Sequence, residues 1–187
     1  MRKIILDLAV SLDGFIEGAN GEIDWCVFDD EVAAELNTFI QGIDAVLYGR
    51  VSYELFGHYQ PGADRPEAER DFYGKVNTLT KYVFSSTLEK VAGSAILIKD
   101  SISERVQEIK QQAGKDIWLF GGGGLITTFV NLNLIDEYRI GVHPVVLGAG
   151  IPLFKNIQQR VNLRLIRTKH FRSGLAGLYY QPVRNQI

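Results

Sequence analysis

Three short apolar segments in this chain each run straight into residues suited to holding phosphate. Val46-Leu47-Tyr48 leads into Gly49-Arg50-Val51-Ser52, Tyr82-Val83-Phe84 into Ser85-Ser86-Thr87, and Trp118-Leu119-Phe120 into Gly121-Gly122-Gly123-Gly124. If the segments are neighbouring parallel strands, all three sets meet at the carboxyl edge of one sheet, where open α/β folds bind their ligands. Their chemistry is complementary: a guanidinium, a hydroxyl pair, and backbone N–H groups opening a helix. Together these suit a ligand carrying several phosphates, such as a dinucleotide.

The glycine run belongs to neither common phosphate fingerprint. A Rossmann turn needs a third glycine three positions after the second, and the chain has Ile126 or Thr127 there. A P-loop needs Gly-Lys followed by Ser or Thr, whereas Gly74-Lys75 and Gly114-Lys115 precede Val76 and Asp116. What remains is a backbone with no Cβ to bar a closely approaching ligand. A plain strand-to-helix turn would need only one or two glycines. Arg50 sits at a helix start, where its charge opposes the dipole unless an anion lies nearby. Ser85-Ser86-Thr87, taken alone, is also ordinary turn chemistry.

The spacing predicts a strand at Lys3 to Ser11, then a loop from Leu12 to Phe28 too long for a mere connection. Asp29 is placed to cap a helix with the apolar face Val32, Leu36, Phe39 and Ile40, ended by Gly42. Asp30 and Glu31 add acid to that helix start, either as dipole compensation or facing a substrate. A strand at Ala45 to Tyr48 and a short helix at Val51 to Phe56 follow. Gln60 to Glu69, with Pro61, Gly62 and Pro66, reads as a surface loop. Strands at Lys81 to Ser85 and Ala95 to Lys99 lead to a helix at Ile102 to Ala113 with a Ser101-x-x-Glu104 capping box. The strand Asp116 to Phe120, the glycine run and a helix through Val130 come next. Long strands are expected at Ile135 to Val146, Val161 to Phe171 and Ala176 to Val183, the last two joined at Arg172-Ser173-Gly174. The pattern is a mostly parallel α/β sheet with an antiparallel C-terminal edge, forming one domain over residues 1–187 with no repeat or linker.

A chain of 187 residues buries about 70% of its unfolded surface and needs no disulfide or metal to fold. Cys26 is its one cysteine, and no charged-then-apolar leader precedes the first strand, so a cytoplasmic protein is expected. No apolar run approaches the ~18 residues of a membrane span. A net charge of −2 with mixed signs offers no basic face to nucleic acid. His58, His143 and His170 lack ligand spacing, so no metal is expected, and no Gly-x-Ser-x-Gly elbow marks a hydrolase. The expected partner is a small molecule.

Taken in order, Ala9-Val10-Ser11-Leu12-Asp13-Gly14-Phe15-Ile16, Tyr48-Gly49-Arg50-Val51-Ser52, Phe84-Ser85-Ser86, Gly121-Gly122-Gly123, Leu134-Ile135-Asp136-Glu137 and His143-Pro144-Val145-Val146-Leu147-Gly148-Ala149-Gly150 resemble the dihydrofolate reductase superfamily over nearly the whole chain. The first and last of them look most like its riboflavin-pathway branch, the pyrimidine reductase domain and its single-domain bacterial relatives. The resemblance implies a three-layer α-β-α domain binding NADPH across the carboxyl edge. Ala9 and Ile16 would then contact the carboxamide through their backbones, and Arg50 and Ser52, within Gly49 to Ser52 and Val51, the phosphates. Ser85 and Ser86 would take the adenosine 2′-phosphate, and Gly121, Gly122, Gly123 and Gly124, running into Leu125, the pyrophosphate. A cis peptide between the first two glycines and a homodimer are also implied.

Departures from that pattern fall on the substrate side. The acid that binds pterin in dihydrofolate reductases is matched most nearly by Asp30, after Trp25, at a longer spacing from Gly49. Where pyrimidine reductases place a glutamate before the paired glycines, this chain has Phe120, and it lacks their Asp-Asp-Pro segment. The implied activity is hydride transfer to a small heterocyclic, carbonyl or imine substrate in a diverged pocket. Asp13 or Asp30 would relay the proton, and Trp25, with Asp30, would meet the substrate. The alternative is a protein that binds a nucleotide or small ligand on the same scaffold without turning it over. Apolar residues of the last two strands, Val161, Leu163, Leu165, Leu178 and Tyr180, would supply the dimer surface.

Overall fold

The computed structural model describes residues 1–183. Among these, eight strands form one sheet, in the order β5 (Ile96–Ile98), β4 (Thr80–Phe84), β3 (Ile43–Gly49), β6 (Asp116–Gly121), β1 (Ile4–Ser11), β7 (Glu137–His143), β10 (Ala176–Pro182) and β9 (Leu163–His170). The strands from β5 to β7 run parallel, while β10 is antiparallel to both of its neighbours. Strands buried on both faces must be apolar throughout. In β1, Ile4 and Leu6 pack with Leu47, Leu119 and Phe129 on one side, and Ile5 packs with Val46, Phe39 and Trp118 on the other.

Each face carries a helical layer. α4 (Ile102–Gln111) and α5 (Gly123–Asn131) bury Val106, Ile109, Ile126 and Phe129 on the first face. α1 (Asp30–Gln41), α2 (Arg50–Phe56) and α3 (Glu67–Thr78) bury Phe39, Ile40, Tyr53, Phe72 and Val76 on the second. The layers are those of the three-layer α-β-α domain. Asp29 caps α1 by accepting from the Val32 N–H at 2.9 Å, and Gly42 ends that helix. Asp136 ties the opposite edge together, accepting from the Ile4 N–H at 2.8 Å and from the buried Lys110 ammonium at 2.7 Å. No helix among the described residues is long and apolar enough to cross a membrane.

Several boundaries differ from the sequence reading. α3 begins inside the segment read as loop, at Glu67, and continues to Thr78. Its buried face is Glu69, Phe72 and Val76, and the charge at Glu69, paired with Arg65 at 2.9 Å, masks the helical period. The Ser101 capping box does not form: Ser101 has φ +52° and its side chain caps nothing. The long loop after β1 contains β2 (Phe15–Glu17), which pairs with β8 (Ile151–Pro152) in a separate two-stranded ribbon. β7 stops at His143, short of Val146. The β9–β10 pairing carries a one-residue bulge, since Tyr179 pairs with Arg167 but Tyr180 pairs with Leu165, leaving Ile166 over.

Candidate functional site

Strand register brings the three phosphate-type sets side by side. Gly49 at the end of β3 lies level with Phe84 of β4, and Tyr48 lies level with Gly121 of β6. The turns that follow line one groove of about 810 Å³, which includes Gly49, Arg50, Val51, Ser52, Ser85, Ser86, Gly122, Gly123, Gly124 and Leu125. The ribbon of β2 and β8 forms another wall through Glu17, Ile151 and Pro152. Gly150 lets the ribbon close, because a Cβ there would collide with the Glu17 carbonyl.

Chemistry in the groove is specific to each set. The Ser85 hydroxyl accepts from the N–H groups of Thr87 (3.2 Å) and Leu88 (3.0 Å) and lies 3.3 Å from the Thr87 hydroxyl, a long contact in which either oxygen can donate. Arg50 reaches Glu54 at 2.8 Å and remains half exposed at the surface. The first N–H groups of α5 have no acceptor within their own helix and open onto the groove. The Gly121–Gly122 peptide is cis, as the resemblance implied. The positive φ lies at Gly121 (+132°), whereas Gly122 has an extended φ of −73° that any residue adopts. What glycine spares at Gly122 is space: a Cβ would stand 3.1 Å from the Ser52 Oγ.

A second, smaller space of about 300 Å³ adjoins the groove, and Ser52, Gly122 and Glu17 line both. Ala9, Ile16 and Gly121 face this cavity, whose walls are largely apolar and aromatic: Phe28, Phe56, Phe72, Trp118 and Phe120. Asp7 of β1, Glu35 of α1, and Arg139 and His143 of β7 also line it. Among the described lining residues Arg139 is the one permanent cation, and its Nε donates to Glu137 at 2.6 Å. Its guanidinium lies 4.9 Å from the Phe39 ring centroid.

Burial governs the electrostatics here. It pushes the Asp7 carboxyl up from 3.8 to about 7, with Arg139 opposing and Glu35 and Glu137 adding to the rise. No described residue donates a hydrogen bond to that carboxyl, while the Asp7 carbonyl accepts from Trp118 Nε1 at 2.9 Å. Glu35 behaves oppositely. Burial raises it, but donation from Lys169 (2.8 Å), Tyr179 (2.7 Å) and Arg167 outweighs burial and holds the carboxyl at about 2. Burial also lowers His143, whose Nδ1 accepts from the Val27 N–H at 3.2 Å, which leaves any ring proton on Nε2. The Cys26 thiol is pushed up to about 11 by burial and by Asp24.

Three expected substrate-side residues lie elsewhere. Asp13 is a structural staple: its carboxylate accepts from Ser11 Oγ (2.7 Å), Leu147 N (3.1 Å) and Gly148 N (2.7 Å), which holds it below the usual carboxylate range. Asp30 is the exposed first residue of α1, one place past the cap, and points to neither space's lining. Trp25 donates to the Glu22 carbonyl at 3.1 Å and packs edge-on to His143 at 5.5 Å, outside the cavity wall. In their place stand Asp7, Arg139 and His143, and in the groove Lys99 and Lys155. Lys99 was findable, since it directly follows β5 and obeys the same carboxyl-edge rule as the other three sets. Asp7 is the one charged residue in β1, set between apolar neighbours, a signal the sequence reading passed over.

Known proteins agree with this architecture. The model of the RibD C-terminal domain matches residues 2–176. The chain is 50% identical over 179 residues to the uncharacterized protein YyaP of Bacillus subtilis, covering 96% of this chain and 94% of the relative. Among solved structures, the diaminohydroxyphosphoribosylaminopyrimidine deaminase/5-amino-6-(5-phosphoribosylamino)uracil reductase of Thermotoga maritima superposes with a TM-score of 0.71 at 15% identity, over 97% of this chain and 57% of that one. Dihydrofolate reductase from Enterococcus faecalis, complexed with NADP(H) and RAB-propyl, superposes with a TM-score of 0.67 at 15% identity and 97% coverage of both chains. At such identities the superpositions establish a shared fold.

Proposed function

Because the chain belongs to the RibD C-terminal domain family, we propose that it is an NADPH-dependent reductase acting on a small, flat carbonyl- or imine-bearing ring. The observation that carries this reading is the convergence of all three phosphate-type sets on one groove that shares Ser52, Gly122 and Glu17 with an apolar cavity. The residues fit the cofactor. Arg50 and Ser52 supply donors to its phosphates, and the N–H groups opening α5 receive the pyrophosphate where glycines keep the backbone bare. Ser85, Ser86 and Lys99 form a donor set for the 2′-phosphate. Ala9 and Ile16 line the cavity end, where the nicotinamide carboxamide would meet their backbones. When bound, NADPH supplies the hydride; the protein supplies orientation and a dry site.

The aromatic walls exclude water and sandwich a planar ring. Among the described lining residues the cavity's one permanent cation, Arg139, already has its charge paired with Glu137, which favours a substrate without phosphate over a phosphoribosyl one. Titrating the protein with NADPH and NADH, followed by Trp fluorescence, tests the reading: tighter binding of NADPH is expected, and no binding of either would refute it. We further propose a cytoplasmic homodimer. Leu163, Leu165 and Ile166 on edge strand β9 are 37%, 50% and 42% exposed, more apolar surface than one solvated strand ordinarily shows. Light scattering should report twice 20.9 kDa, and Leu165→Asp should halve the mass; a monomeric native protein would refute the proposal.

A further inference from the structure

The reduction of a C=N or C=O bond needs a proton as well as a hydride, and the two acids that sequence order suggested are engaged elsewhere or turned to solvent. Asp7 differs from both. It sits in the middle of the parallel sheet, on β1 opposite Arg139 of β7, and lines the apolar cavity alongside Ala9 and Phe120. Every charged neighbour is committed to another partner: Arg139 to Glu137, and Glu35 to Arg167, Lys169 and Tyr179. The carboxyl is therefore left with no protein hydrogen bond among the described residues, facing a space of about 300 Å³. A half-buried acid with no protein partner among the described residues, set in largely apolar walls, is costly unless a ligand or water completes it.

We propose that Asp7 is the acid that protonates the substrate in this reductase, so that the cavity takes an uncharged flat ring whose imine nitrogen or carbonyl oxygen meets β1. The inference rests on the reductase reading above, with NADPH as reductant. As the substrate carbon gains the hydride and its electron pair, the π pair of the C=N or C=O bond moves onto the heteroatom. The heteroatom forms a bond to the Asp7 proton, the carboxyl O–H bond breaks with its electrons kept on oxygen, and the carboxylate regains a proton (H⁺) from bulk solvent, the one proton the net reduction consumes. The substrate gains two electrons and two hydrogens.

The surroundings suit a donor that is protonated near neutrality. Facing Asp7 are Arg139 and Glu137 from β7, Glu35 from α1, Tyr179 from β10 and, also lining the cavity, Tyr73 from α3 and His143. Burial and the two glutamates favour the neutral acid, and Arg139 opposes them. The tyrosines are held protonated by burial, and His143 titrates below its usual range. An inflection near pH 7 that disappears in Asp7→Asn therefore identifies Asp7. Glu35 is a positioning residue in this scheme, a fixed negative charge that keeps the Asp7 proton in place.

The test uses quinazoline, a flat bicycle with one electrophilic C=N carbon, as probe. Carbon-13 titration of the Asp7 carboxyl in the ligand-free protein, assigned by its loss in Asp7→Asn, should show a midpoint near 7, lower in Glu35→Gln; a midpoint below about 5 overturns the proposal. Quinazoline should quench Trp fluorescence most strongly below pH 7 and weaken about tenfold per pH unit above it. Asp7→Asn, whose amide still donates, should bind without that dependence. With NADPH present, reduction of bound quinazoline should fall at least about 100-fold in Asp7→Asn, with NADPH affinity unchanged within about twofold. No quinazoline binding, a pH-independent affinity, or an unslowed variant each overturns the assignment. Failure of the native protein to bind NADPH would sink the reductase reading itself, whereas NADPH binding with a normal Asp7 midpoint would sink the donor alone.

Discussion

Asp7 should make the protein less stable than it could be, and the deficit should switch on with pH. Its carboxyl is 3.8 ordinarily and about 7 in the folded chain, a difference worth about 4 kcal/mol between the two protonation states. The sign follows from linkage. The folded state holds the proton more tightly than the unfolded state, so the group is harmless below about pH 4, and stability drains away as pH rises toward 7. Replacing Asp7 by Asn keeps the shape and removes the ionisation. Asp7→Asn should therefore match the native protein at pH 4 and exceed it by up to about 4 kcal/mol at pH 8, a large part of the 5 to 15 kcal/mol typical of a domain. Urea unfolding at the two pH values, with equal slopes for both proteins, measures it. A difference that does not change with pH, or an Asn variant less stable at pH 8, would refute the reasoning.

Replacing Ser85 and Ser86 together by Ala should narrow the preference for NADPH over NADH by about tenfold or more, since hydrogen bonds to a charged group contribute about 1.5 to 3 kcal/mol; paired binding titrations read this. Gly122→Val should keep the circular dichroism spectrum while losing NADPH affinity, because φ −73° accepts valine but its side chain enters the groove beside Ser52. Gly121→Ala, at φ +132°, should instead lower stability by about 1 to 3 kcal/mol. Glu35→Gln should cost about 1 to 2 kcal/mol at pH 7 after allowance for solvent screening. That loss should shrink as pH falls from 4.5 toward 2, the window in which the native Glu35 gives up its own advantage.

The groove was legible because its parts are local. A strand, a turn and a helix start lie within ten residues of one another, and parallel pairing does the rest by placing Gly49 level with Phe84 and Tyr48 with Gly121. The cavity was not, because its chemistry comes from residues far apart in the chain. Asp7 matters only in relation to Arg139 and Glu35, which the sheet and α1 bring to it. Asp13 misled for the converse reason: an acid beside a glycine turn looks available until the loop at Leu147 and Gly148 folds over it. α3 escaped notice because its buried face includes Glu69, an acid whose burial depends on Arg65 one turn earlier.

The extra residue at Ile166 decides what β9 can do on each side of the sheet. Side chains along a strand alternate, so without the bulge Leu163, Leu165, Arg167 and Lys169 would all project the same way. Inserting one residue reverses the parity midway. Beyond it, Arg167 and Lys169 turn to the α1 side and clamp Glu35, while Leu163 and Leu165 stay with Tyr180 on the opposite side. A single unpaired position thus lets an eight-residue strand serve two masters, anchoring the charge that faces Asp7 and presenting an oily stripe to the outside. Deleting Ile166 would turn the anchor outward or bury the stripe, and the chain could not keep both.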